Sequence, residues 1–386
     1  MHHPLWLSVL AVIVGLYLLI TIIWEGFETI VLPRTVTRGL RITRLFYRGT
    51  WGLASWTARR VCAEGRRELY LSYFGPLSLP LLLSVWALGL IVSFALLQWA
   101  QGPEAINGPD QYHTIGAALY TSGVTFFTLG YGDITPRTGL ARFVAVSEAG
   151  LGFGFLAVVI GYLPVLYQAF SRREAAISRL DGRASSPATA GELLRRYGSA
   201  QVLDDIAAWL RDWEVWSSEL LESHLSYPVL TYYRSQHDHQ SWLAALTVVL
   251  DTCALLIVGV QGTPNWQRSA QWQARMTFAM ARHALIDMAY IFNAAPLALP
   301  TNRLPPEALA QLRGMLAGAG VALCDTDEDD RKLNALREFY EPYVNALSDL
   351  LMYPLPPWLP AGPTQDNWET SAWQDGVKSA DDVHFH

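Results

Sequence analysis

Charge is scarce in this chain. Of its 386 residues only 16 % are Asp, Glu, Lys or Arg, against about 25 % in ordinary soluble proteins, and the mean hydropathy is positive at +0.18. That shortage excludes an ordinary soluble protein and points to a membrane. Cysteine is nearly absent: Cys62, Cys253 and Cys324 are far apart and odd in number, so neither a disulfide framework nor a paired-thiol zinc site fits. Strand-like runs are few, and no GxGxxG follows one, so a nucleotide-binding fold finds no support, nor does a β-roll. Nothing suggests a nucleic-acid partner or an enzyme. The net charge of −6 carries little information, because charges in a membrane protein are sorted by side.

What is present is long apolar runs. Leu5 to Trp24 is apolar almost throughout, and about 20 residues at 1.5 Å each cross a hydrocarbon core of about 30 Å. The start Met1-His2-His3 has no basic region, and no small-residue cleavage site precedes Glu25 and Glu28, so a span is expected in preference to a signal peptide. Further spans are expected over 77–99 and 140–168, with Trp24 and Trp99 in aromatic belts. Between the first two spans lie Arg34, Arg38, Arg41, Arg44, Arg48, Arg59, Arg60, Arg66 and Arg67, while the loop from Gln101 to Gln111 has no Lys or Arg. The positive-inside rule then puts the N-terminus outside and the C-terminal region in the cytoplasm of a multi-pass protein of the cell membrane. Arg34, Arg38, Arg41, Arg44 and Arg48 form a stripe like that of a voltage sensor, but a single preceding span offers no partner helices. An interfacial helix on anionic membrane lipids, with Leu40, Leu45, Phe46 and Trp51 dipping inward, is the reading for 33–70.

Residues 112–126 are small, apolar and free of charge. A helix of about 22 Å there is too short to span and would stop midway, its carbonyl end facing the membrane centre, where it favours a cation. Thr128-Leu129-Gly130-Tyr131-Gly132-Asp133 follows. Stripping water from a cation needs successive backbone carbonyls turned to one axis, and Gly130 and Gly132 are where the backbone takes positive φ cheaply. One loop cannot encircle an ion, so four copies in a homotetramer would supply rings of oxygens from Thr128, Leu129, Gly130 and Tyr131. Leu129 and Tyr131 would turn their side chains onto the pore helices. Asp133 would concentrate cations at the outer mouth.

The stretch from Tyr120 to Pro136 resembles the signature of the potassium channel superfamily, and about 90 residues resemble its two-helix pore module. The resemblance implies that Thr128, Leu129, Gly130, Tyr131 and Gly132 bind K+, with no cofactor beyond the K+ ions themselves. Leu129 stands where the family has valine, a volume-tolerant change. Phe127 stands where it usually has a small residue, and a ring there is expected to narrow the inner entrance. The resemblance also makes Gly152 or Gly154 a gating hinge, while close small-residue packing is the competing reading. Glu148, ionisable and inside the span, should find a partner behind the filter or on a neighbouring subunit.

The fold class expected is an all-α membrane protein: three transmembrane helices over 1–32 and 71–170, a re-entrant pore helix with its filter loop at 128–133, and an all-helical cytoplasmic domain over 191–355. Helices are expected at 191–222, 240–260, 268–293, 305–322 and 328–352. A linking segment is expected over 171–190, in which the helix runs on to about Leu180 and Gly182 to Ala190 (GRASSPATA) is the linker itself, and a disordered tail is expected over 356–386. Ser241 to Val260 is apolar enough to span, but Asp251 at its centre favours a buried core helix. Asp325, Asp327 and Asp329 imitate a calcium loop that lacks its glycine and its final acid, and read instead as an acidic helix start. His237-Asp238-His239 reads as a solvated turn. Two other classes of function compete: a nonselective cation channel, and a membrane-tethered sensor with a vestigial pore and an unidentified cytosolic regulator.

Overall fold

The structure, a computed structural model, describes residues 4–31, 41–107, 114–236, 240–260, 264–298, 302–360 and 362. Arg34, Arg38, Leu40, Asp110, Tyr112 and the His237-Asp238-His239 turn lie outside the described residues. The chain is an all-α membrane protein with two compact units, Met1–Gln168 and Ala169–His386.

The first unit begins with α1 (Leu5–Gly26), closed by a π turn, Phe27–Val31. It continues with α2 (Ile42–Arg60), α3 (Glu64–Ser72), α4 (Phe74–Ala100), α5 (Ile115–Phe126) and the start of α6 (Gly139–Ala184). Three helices, Leu5–Ile30, Arg66–Ala100 and Gly139–Ala184, are long and apolar enough to cross a membrane. Ala11, Gly15, Ile22 and Glu25 are the buried residues of α1, and their spacing of four, seven and three puts them on one helix face. That face packs on α4. Small residues let two backbones approach: a Cβ on Gly15 would lie 3.0 Å from the Ser93 carbonyl oxygen.

The last of these three helices is longer than its apolar stretch. At 46 residues α6 measures about 69 Å, more than twice the hydrocarbon core. The linker expected over 171–190 is therefore corrected in extent, since the helix expected to end near Leu180 runs four residues further. It is helix to Ala184 followed by a tight turn, in which Ser186 Oγ donates to Asp181 and Thr189 caps the next helix by accepting from Glu192 N.

The second unit holds α7 (Ala190–Ser199), α8 (Ile206–Ser226), α9 (Trp242–Val258), α10 (Pro264–Ile291), α11 (Pro306–Gly318), α12 (Asp327–Glu338) and α13 (Glu341–Leu351). Its centre is α9, buried on every side from Trp242 to Leu256, with α7, α8, α10, α12 and α13 around it. An all-round apolar helix needs such a jacket. Two expected helices break: 191–222 parts into α7 and α8 where Gln201 takes a φ of 57°, and 328–352 parts before Pro342, which has no N–H to give and is tolerated only in a first helical turn. The acids Asp327, Glu328, Asp329 and Asp330 fill the first turn of α12, with Thr326 and Asp329 closing a reciprocal cap. The tail does not begin at 356: Trp358 is buried between Arg303 and Arg337, each 5.7 Å from its ring, and its carbonyl accepts from Gly191 N at 3.1 Å.

Arg173 enters this unit buried. It donates to the Leu230 and Tyr233 carbonyls at 2.8 and 2.7 Å and to Glu174 at 2.9 Å. His224 beside it is fully buried, and desolvation first, then the Arg173 charge, push its pKa down from 6.5 to about 3. Between those values the unfolded chain binds a proton that the folded one refuses, so this contribution to stability is complete above pH 6.5 and lost as pH falls toward 3. The slope is about 1.4 kcal/mol per pH unit. Thermal melts of the full chain between neutral and acid pH should show a steeper loss than His224→Gln, and parallel curves would remove His224 from the account.

Candidate functional site

The short helix α5 starts at Thr114, whose hydroxyl accepts from Ala117 N at 3.2 Å. It ends in a coil of backbone hydrogen bonds that fixes the next three residues: Phe127 N donates to Gly123 O at 3.0 Å, Thr128 N to Thr125 O at 3.0 Å, and Leu129 N to Val124 O at 2.8 Å. From there the backbone alternates. Thr128, Gly130 and Gly132 have φ of 57°, 62° and 80°, while Leu129 and Tyr131 between them keep negative φ. Strict alternation of hand can turn successive carbonyls to one side of a ribbon, where a β-strand would send them to opposite sides. The two glycines take their φ without cost. Thr128, a third left-handed residue that sequence reasoning did not anticipate, is β-branched, and strain of about 1–3 kcal/mol at such a residue is characteristic of functional loops.

The C-terminal end of the ribbon is held by a two-residue ladder that the sequence did not announce. β1 (Ile106–Asn107) pairs antiparallel with β2 (Thr135–Pro136), Ile106 opposite Pro136 and Asn107 opposite Thr135. Arg137 N adds a bond to Ala105 O at 2.8 Å, and Ile134 is buried beneath. Asp133 is exposed at this end. Thr138 then starts α6 by accepting from Ala141 N at 3.2 Å.

Behind α5, α6 comes close at Gly152. A Cβ there would lie 2.0 Å from the Phe126 carbonyl oxygen, whereas one on Gly154 would meet nothing within 4 Å. Gly152 is thus a close-approach glycine, with the Phe126 and Phe155 rings 5.9 Å apart beside it, and α6 is unbroken through both positions. Glu148 is fully buried and finds its partners within its own chain: Gln98 Nε2 of α4 donates to it at 2.6 Å, and Ser122 of α5 is hydrogen-bonded to its other oxygen.

The expected packing of Leu129 and Tyr131 on the pore helix is not made within one chain. Leu129, Tyr131 and Phe127 are 55, 67 and 60 % exposed, which leaves an apolar edge along the ribbon.

The basic segment departs from the expected stripe. Arg41 precedes α2 and turns onto the end of the first span, 3.5 Å from Glu25 and 3.9 Å from Glu28, while donating to Thr29 at 3.0 Å. Glu25 also accepts from Thr43 N at 3.0 Å, so a carboxylate from α1 caps α2. Trp51 does not dip into lipid but packs edge-on against Phe74, ring centres 4.9 Å apart. Arg44, Arg48, Arg59, Arg60 and Leu45 face outward.

Residues 81–168 match a family model described as ion channel. The chain is 32 % identical over 115 residues to potassium voltage-gated channel subfamily KQT member 3 of Rattus norvegicus, covering 30 % of this chain and 12 % of that one. It is 44 % identical over 48 residues to two pore potassium channel c of Oryza sativa subsp. japonica, covering 12 % and 10 %. With an uncharacterized membrane protein of Bacillus subtilis, YdjJ, it shares 27 % identity over 249 residues, 63 % of this chain and 69 % of the other. No solved structure matches it. The chain thus spans about a tenth of the length of the two channels it resembles. Residues 81–168, two membrane helices with a short helix and a glycine ribbon between them, are the part of the chain that is similar to ion channels.

Proposed function

We propose that this chain is one subunit of a homotetrameric, K+-selective channel that conducts passively. The observation that carries the reading is the alternation of hand at Thr128, Gly130 and Gly132, because a ribbon whose carbonyls share a side replaces the hydration shell of a dehydrated cation when several copies meet around an axis. Rings from Thr128, Leu129, Gly130 and Tyr131 hold the ions, with Gly132 closing the ribbon and Asp133 gathering cations outside. The bare edge of Phe127, Leu129 and Tyr131 supports assembly: neighbouring copies cover it. Arginine-rich 41–67 faces the cytoplasm against anionic lipid, which places the N-terminus outside and the helical second unit inside the cell membrane.

Purified full-length chain in liposomes should pass K+ in clear preference to Na+, and native mass measurement in detergent should give four copies. Gly130→Ala puts a Cβ on a residue at φ 62°, where an L side chain costs of order 1 kcal/mol or more in each subunit, and K+ flux should disappear. Equal K+ and Na+ rates would make the pore nonselective, and a monomer would end the reading.

A further inference from the structure

The buried cluster behind the pore helix contains a proton that the assigned donors do not account for. Ser122 Oγ lies 2.7 Å from the Ile91 carbonyl oxygen and is also in hydrogen-bond contact with Glu148 Oε1. A hydroxyl has one proton to donate, and a carbonyl can only accept. The Ser122 proton therefore goes to Ile91 O, and the bond between Ser122 and Glu148 needs its proton from the carboxyl. Gln98 donates to the other carboxyl oxygen at 2.6 Å, which a carboxylic acid accepts on its carbonyl oxygen. The reverse arrangement, Ser122 donating to a carboxylate, would leave the hydroxyl oxygen facing the Ile91 carbonyl lone pair to lone pair. It would also bury a charge that, among the described residues, has no ion-pair partner.

We propose that Glu148 is held as a neutral carboxylic acid donating to Ser122, and that this acid is the positioning residue that clamps α5 to α4 and α6 behind the filter. Ser122 stands one helical turn before Phe126, whose carbonyl rests against Gly152, so the clamp and the close approach fix the same end of the pore helix. A carboxylic acid in this place supplies one donor and one acceptor, which is the pattern that Ser122 and Gln98 require. The part of the proposal that concerns conduction rests on the channel reading above; the placement of the proton does not.

The test uses the full chain in liposomes. Glu148→Gln presents an amide that donates to Ser122 and accepts from Gln98, so K+ flux and K+/Na+ preference should stay within about twofold of the parent. Glu148→Asp, too short to reach both partners, and Glu148→Ala, which leaves them unsatisfied, should each lower K+ flux about tenfold, the size expected for stranding a buried polar group. The infrared difference between the parent and Glu148→Gln should contain the carbonyl stretch of a protonated carboxylic acid. A carboxylate band in its place would overturn the proton assignment. Loss of flux in Glu148→Gln as deep as in Glu148→Ala, or parent-like flux in Glu148→Ala, would overturn the positioning role. If Glu148→Ala fails to assemble, the rescue by Gln against Asp and the infrared band still decide. A parent chain that passes no K+ would sink the channel reading while leaving the infrared result standing by itself.

Discussion

Gly152→Ala is expected to silence K+ flux, while Gly154→Ala, two residues along the same helix, conducts like the parent. Either change removes a glycine from the interior of α6 and on helix propensity alone should stabilise it by about 1 kcal/mol. Surroundings separate them. The new methyl at 152 would sit 2.0 Å from the Phe126 carbonyl oxygen and 2.9 Å from its carbon, and the atoms in the way are backbone, with no rotamer to turn aside. Either α6 retreats or the last turn of α5 shifts. That turn carries the three hydrogen bonds that hold Phe127, Thr128 and Leu129, so a shift of a few tenths of an ångström there reaches the ribbon directly. Overpacking of this kind costs about 1–3 kcal/mol in each copy. Liposome flux with a parallel measurement of assembly checks the pair. If Gly154→Ala also abolishes flux, position 154 bends during opening and the hinge reading returns there; if Gly152→Ala conducts normally, the close approach does not constrain the pore.

How far the sequence carries the fold is visible in this pair. The spans, the short helix and the ribbon were legible because each follows from local content: apolar length, absence of charge, and two glycines at a spacing of two. The resemblance could name Gly152 and Gly154 together but could not separate them, because the difference lies in what α5 places opposite each one. The same holds for Glu148, whose need for a partner was evident from its place in a span while Ser122 and Gln98, ordinary polar residues 26 and 50 positions away, carried no signal. Thr128 as a left-handed residue and the ladder of Ile106–Asn107 with Thr135–Pro136 went unseen because two-residue strands have no periodicity to read. Arg41 was assigned to a helical stripe by spacing alone, and the carboxylates at the end of α1 claimed it instead. In the second unit, apolar periodicity found the helices but ran across two breaks, and the supposed tail at 356 is pinned by Arg303 and Trp358, a contact between segments more than 50 residues apart.

Asp251→Ala should remove a large part of the stability of the second unit. Asp251 lies at the middle of α9, 1 % exposed, and accepts from the two terminal guanidinium nitrogens of Arg303, Nη2 at 2.6 Å and Nη1 at 3.3 Å, and from the Tyr340 hydroxyl at 2.5 Å. Burial lifts its carboxyl above the ordinary value, with Arg303 and Tyr340 pulling against that lift, and the same pairing raises Arg303. Arg303 in turn donates to Glu341 at 3.2 Å and to the Pro356 carbonyl at 2.9 Å, so one carboxylate ties α9 to the start of α13 and to the chain leading to Trp358. Deleting it leaves the buried guanidinium with only the longer Glu341 pairing at 3.2 Å and the Tyr340 hydroxyl without its acceptor, a loss of about 3–5 kcal/mol from a domain whose net stability is of order 5–15 kcal/mol. Asp251→Asn keeps the shape and an acceptor and should lose less. Removing both charges with Asp251→Leu and Arg303→Met together should recover part of the loss, because buried ion pairs contribute little net stability once their desolvation is counted. Thermal unfolding of the full chain for the parent, Asp251→Leu alone, Arg303→Met alone and the two together gives the coupling directly, with Asp251→Ala and Asp251→Asn measured beside them. A loss under about 1 kcal/mol for Asp251→Ala would mean that water reaches Arg303 and that α9 is less enclosed than its neighbours require.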